Sequence, residues 1–235
     1  MSVVVVSPHF DDAVFSVAGV LLANGPAATV LTVCGGAPAG GEVSEWDLEC
    51  GFASGGAAAA ARAAEDLRAA GIAGVRSVHL GVTDEPYRAG FPHGRVATDL
   101  AAALPPRGEV WVPAGLGSHP DHVGTREAAL AALPPASPRA RFYADCPYAF
   151  AFGWDAADRS RAPDHRWGAH LARIGEYFGR ARAEAVTLDN RAVALKLRMV
   201  SCHQSQVVAM LPEFPGLTDP NGPLRVERYW AACQP

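Results

Sequence analysis

The chain has 235 residues, 49% hydrophobic and 19% charged, with a formal charge of −4. This composition belongs to a folded globular protein with a well-buried core and excludes a disordered chain. No Lys/Arg stripe marks a nucleic-acid or anionic-membrane surface, and no apolar run is long enough to span a bilayer.

Val3 to Val6 is four β-branched residues in a row, the pattern of a strand buried on both faces in a parallel sheet. The polar segment Ser7 to Asp12 follows, then a helix from Ala13 to Ala23 closed by Asn24 and Gly25, and a second strand over Thr29 to Val33. Residues 35–56 are glycine-rich and carry Glu42, Glu45, Trp46, Asp47 and Glu49; they read as a long surface loop, a length often reserved for function. Ala57 to Ala70 is an alanine-rich helix, Val75 to Leu80 a third strand, Arg95 to Leu104 a helix, and Glu109 to Val112 a fourth strand. The segment Pro113 to His122 leads into a helix from Thr125 to Leu133, and Arg141 to Ala144 is a fifth strand. Residues 146–183 read as an irregular, aromatic- and Arg-rich lid-like region containing Tyr148, Phe150, Trp154 and Trp167. A further strand over Ala185 to Leu188 and a helix over Arg191 to Cys202 follow, and the proline-rich tail 203–235 is expected to pack over the domain.

Alternating strands and helices predict one α/β domain over 1–235, Rossmann-like, with a doubly wound, mostly parallel sheet. The N-terminus lacks a signal peptide's basic region and apolar stretch, so the expected location is the cytoplasm. The five cysteines are scattered and never spaced CxxC, the pattern of reduced thiols and not of a cysteine metal site.

Ligands of open α/β sheets bind beyond the carboxyl ends of the strands. His9-Phe10-Asp11-Asp12 stands at the end of strand one and His119-Pro120-Asp121-His122 at the end of strand four, so the active site is expected there. Two histidines and one aspartate satisfy three positions of a catalytic zinc and leave one open for water. His9 and Asp12, three apart at a turn, can converge on one ion, with one histidine of the second loop completing the set. Asp11 then points elsewhere and is free to take a proton, and the remaining histidine is free to polarise a carbonyl or protonate a leaving amine. The competing explanation is two helix N-caps, Asp12 and Asp121. The same ligand types also occur in non-haem iron oxygenases, which favour β-barrels. A nucleotide-binding module is disfavoured because no Gly-rich loop follows strand one.

Residues 7–13 (SPHFDDA) and 117–122 (GSHPDH) resemble the two motifs of the LmbE-like, or PIG-L-type, zinc-dependent N-acetylglucosamine deacetylase family. Weaker likenesses fall at Arg62 with Glu65, at Leu80 to Asp84, and at Lys196 followed by His203-Gln204-Ser205-Gln206. The resemblance implies that His9, Asp12 and His122 hold Zn2+ and that Asp11 is the general base. It makes His119 the oxyanion stabiliser or acid, oriented by Asp121. Phe10 stands where the family commonly has proline and Ala13 where it has glutamate; the alanine form resembles the branch acting on glycosylated antibiotics and other secondary metabolites. The implied partner is a small molecule bearing an amino sugar. The first substrate choice is an N-acetylglucosaminyl group, and the runner-up is a pseudo-disaccharide thiol.

Trp46, Arg62 and Asp84 are the candidate substrate contacts, with an Arg62–Glu65 helix pair as the alternative for Arg62. His203 is expected to make a structural hydrogen bond, His79 to lie in the core, and His93, His165 and His170 at the surface.

Overall fold

The computed structural model describes residues 2–151 and 167–233. Its seven-stranded sheet runs β3-β2-β1-β4-β5-β7-β6. The strands are β1 (Val3–Ser7), β2 (Ala28–Thr32), β3 (Arg76–His79), β4 (Glu109–Pro113), β5 (Ala140–Tyr143), β6 (Ala181–Thr187) and β7 (Val226–Ala232). The five expected parallel strands form the first five positions, and β1 is buried along its whole length between β2 and β4. Chain order reverses between β1 and β4, which pair in parallel with Val3 opposite Glu109. That reversal opens a crevice beyond their carboxyl ends, where both His/Asp segments lie.

The helices are α1 (Asp12–Asn24), α2 (Glu45–Glu49), α3 (Gly55–Ala73), α4 (His93–Ala103), α5 (Pro120–Ala132), α6 (Tyr148–Ala151), α7 (Gly168–Phe178), α8 (Asn190–Val200) and α9 (Gln204–Met210). Helix α5 starts five residues before its expected Thr125, because Pro120 takes the first-turn position where a missing N–H costs nothing. Asp121 and His122 therefore sit on a rigid first turn and not in a loop. The preceding turn uses φ of +79° at Gly115 and +86° at Gly117. A Cβ at Gly117 would come within 2.6 Å of the Tyr148 ring, so glycine is required there on both counts.

Three expectations are corrected. The loop 35–56 contains α2, capped by Ser44, whose side chain accepts from Asp47 N. The lid-like region contributes α6, α7 and the first three residues of β6, which begins four residues before the expected Ala185. The tail does not merely cover the domain: β7 is inserted between β5 and β6, antiparallel to both. Its Glu227 is buried and accepts from Gly19 N and from Lys196 Nζ at 2.8 Å, pinning β7 to α1 and α8. Lys196, singled out by resemblance, is thus a buried structural partner. Trp154 and His165 lie outside the described residues. Among those described, no helix is long and apolar enough to cross a membrane.

Candidate metal and substrate site

Asp12 opens α1, with His9 one turn before it and His122 across the β1–β4 crevice. His9 N donates to Asp12 Oδ2 at 2.7 Å, and His9 Nδ1 lies 3.2 Å from the same oxygen. His122 Nε2 lies 3.3 Å from Asp12 Oδ1. One donor atom from each of the three residues falls within 4.8 Å of the other two.

Each imidazole is held from behind by a second carboxylate. His9 Nε2 meets Asp121 Oδ2 at 3.0 Å, and His122 Nδ1 meets Asp145 Oδ1 at 2.7 Å. Both supporting carboxylates are buried and further fixed: Asp145 accepts from Leu116 N, and Asp121 accepts from Glu85 N and pairs with Arg88. Neither Asp12 nor Asp121 caps its helix through its side chain, so the N-cap explanation fails. The α5 cap is His119, whose Nδ1 accepts from Asp121 N at 3.2 Å. The expected Asp121–His119 partnership is therefore corrected: the backbone of Asp121 touches His119, and its carboxylate serves His9.

Burial opposes charge on every group here, and the neighbours decide the outcome. Burial alone would lower His9, but its hydrogen bond to Asp12 and the charges of Asp12, Asp84 and Asp11 raise it to about 9. Burial would raise Asp12; His122 and His9 overcome it and hold the carboxyl well below the usual range. At Asp11, burial and the adjacent Asp12 outweigh the opposing pull of His9 and Arg62 and push it up to about 7. Burial and the neighbouring His9 and His122 push His119 down to about 3. A neutral His119 that accepts at Nδ1 carries its hydrogen on Nε2.

The donor set opens onto a cavity of about 360 Å³. Asp11, His119, Trp46, Arg62 and Asp84 all line it, so the catalytic and substrate candidates converge. Arg62 does not pair with Glu65. Its Nη2 lies 2.6 Å from Asp47 Oδ1 and its Nη1 3.7 Å from Asp84 Oδ2, while Glu65 accepts from Ser205 N and Oγ. Tyr87 donates its hydroxyl to Asp47. Trp46 Nε1 donates to Gln206 Oε1 at 3.1 Å, joining α2 to α9 at the cavity wall. Of the aromatic residues grouped as a lid, Tyr148 faces the cavity beside His122, whereas Trp167 is buried against Trp230.

The other histidines divide. His93 is exposed, as expected; His79 is only partly buried and bonds Asp66 at 2.7 Å, so it does not lie in the core. His170 is buried, not at the surface, and meets Ser118 Oγ and Arg126 Nη1. His203 is fully buried, but neither ring nitrogen has a hydrogen-bond partner among the described residues, so its expected bond is absent. Sequence reasoning missed Asp145 and Arg88. Asp145 follows β5 at the same sheet edge, a position that is the one available signal for it.

A parallel sheet whose carboxyl edge gathers two histidines and an aspartate beside a polar cavity is the architecture of the de-N-acetylases. The chain belongs to the GlcNAc-PI de-N-acetylase (PIG-L) family, whose model matches residues 4–133. A 2′-N-acetylparomamine deacetylase of Streptomyces fradiae is 34% identical over an alignment of 164 residues that covers 61% of this chain and 56% of that relative. The chain thus matches little more than half the length of this curated relative. The crystal structure of the deacetylase of the antimicrobial A40926 pseudoaglycone has a TM-score of 0.69 at 26% identity, covering 98% of this chain and 96% of that one. A teicoplanin deacetylase in its zinc-inhibited form has a TM-score of 0.74 at 23% identity, covering 98% and 97%; this likeness speaks for the fold.

Proposed function

We propose that this protein is a zinc-dependent N-deacetylase that hydrolyses the acetamide of an N-acetylglucosamine-type sugar on a small molecule, in secondary-metabolite biosynthesis. The carrying observation is the pair of imidazoles, His9 and His122, that flank Asp12 and each rest their other nitrogen on a buried carboxylate. Metal-binding histidines are characteristically supported this way, because the outer carboxylate fixes ring orientation and raises ligand basicity. The set fits zinc: two nitrogens and a carboxylate held ionised, with room on the cavity side for a fourth ligand. When bound by His9, Asp12 and His122, the ion supplies Lewis acidity toward water and the acyl carbonyl.

The chain's own residues do the rest. Asp11 lines the cavity beside Asp12 and takes the proton of the attacking water, then returns it to the amine nitrogen as the C–N bond breaks. Its raised pKa suits a base near neutral pH. His119, neutral with its hydrogen on Nε2, donates to the developing oxyanion; the depressed pKa favours this role over that of an acid. Trp46, Arg62 and Asp84 supply an aromatic surface, a guanidinium and a carboxylate for the sugar. The antibiotic-modifying relatives support the substrate class, and the βα architecture with its family membership speaks against an iron oxygenase.

The test is acetate release from N-acetylglucosaminyl small molecules. Activity that disappears on chelation and returns with zinc supports the reading; activity indifferent to chelation overturns it.

A further inference from the structure

We propose a second metal site, built from Cys34, His9 Nε2, Asp84 and Asp121, that takes a thiophilic divalent ion such as Cd2+ or excess Zn2+. One donor atom from each of these four residues lies within 4.8 Å of the other three. A sulfur, a nitrogen and two oxygens so placed can close on an ion with bonds of roughly 2.0–2.3 Å, the ion taking over the charge pairing that Arg88 gives Asp121 and Arg62 gives Asp84.

The fold explains the convergence. Cys34 follows β2 and is tied back to β1 by its N–H on Pro8 O. Its backbone also bridges Gly81, and Gly36 bridges Thr83, which locks the loop after β2 beside the loop that carries Asp84. Asp121 arrives from the first turn of α5. Cys34 is 2% exposed and forms no disulfide. A buried thiol beside an imidazole and two carboxylates is a soft donor in place for a soft ion. Binding deprotonates it, releasing one proton. Scattered cysteine spacing gave no sign of this, because the other ligands come from three separate segments of the chain.

The two sites share His9. A neutral imidazole has one lone pair, so an ion that uses Nε2 withdraws His9 from the set formed with Asp12 and His122. Thiophilic ions are therefore inhibitors of the deacetylase proposed above. That consequence rests on the functional reading; the site itself does not.

The test is titration of the purified protein with Cd2+, following thiolate-to-metal absorption in the near ultraviolet and bound metal by equilibrium dialysis. We expect a saturable component that vanishes in Cys34→Ser. In Asp84→Asn the thiol remains, but binding of that component weakens at least about tenfold, since even outer-shell losses cost about 10–100-fold. Absorption unchanged by Cys34→Ser, or an affinity unchanged in Asp84→Asn, overturns the site. The Asp84 variant decides the matter if Cys34→Ser does not fold. Neither readout requires turnover, so failure here is distinct from failure of the deacetylase assignment.

Discussion

The Asp121 carboxylate lies 3.0 Å from His9 Nε2, although the motif places it two residues from His119 and 112 from His9. It is completely buried and braced by Glu85 N and Arg88. Asp121 is thus a positioning residue for a proposed metal ligand on another loop. In Asp121→Asn, zinc affinity should fall about 10–100-fold, as when other outer-shell partners are lost. Competition with a chromogenic chelator measures this. Turnover at saturating zinc should recover more fully than affinity does; unchanged affinity would contradict the role.

His119 should behave in the opposite way. It caps α5 and lines the cavity but stands outside the three-donor set. His119→Ala should keep its zinc and lose about 10²–10³-fold in kcat, the scale for removing one oxyanion donor. Metal analysis and steady-state kinetics on one preparation separate the two effects. Loss of the metal with the activity would move His119 into the ligand set.

His203 offers a test on stability. Burial lowers its pKa from 6.5 to about 4, so the folded chain holds it neutral while the unfolded chain binds a proton between those values. Its contribution to stability is intact above pH 6.5 and falls away as the pH drops toward 4, by an amount on the order of 3 kcal/mol. His119, also depressed, adds a loss of the same sign. Thermal melts of metal-free protein at pH 7 and pH 5 should therefore differ, and His203→Phe should narrow the difference. A variant with the wild-type pH dependence would show that His203 is not the group responsible.

The sheet was readable because Val3 to Val6 is an unbroken apolar run buried on both faces, flanked by the buried apolar stretches Val30-Leu31 and Val110 to Val112. β7 escaped because Val226 to Ala232 mixes Glu227, Arg228 and Tyr229 into its run; an antiparallel strand near the sheet edge need not be apolar on both faces. The proposed ligands were legible because His9 and Asp12, and His119 and His122, are close in sequence. Their supports were not, since Asp145 reaches His122 from 23 residues away and Asp121 reaches His9 across the crevice. Arg62 was assigned to the right cavity, but its partners Asp47 and Asp84 come from α2 and from the segment after β3, a pairing that helical spacing cannot reveal.

The division of labour between two adjacent carboxylates is tested most directly by Asp11→Asn. Asp12, held ionised between two imidazoles, keeps the ion in this account; Asp11, pushed up to about 7, moves the proton. A base must be deprotonated, so wild-type kcat/KM should rise with pH through the Asp11 pKa. A bound cation shifts that limb below 7, because positive charge favours the carboxylate. Asp11→Asn should retain about one zinc per chain and lose on the order of 10²–10⁴-fold in acetate release. A variant that deacetylates at the wild-type rate, or one that loses its zinc along with its activity, would contradict the assignment.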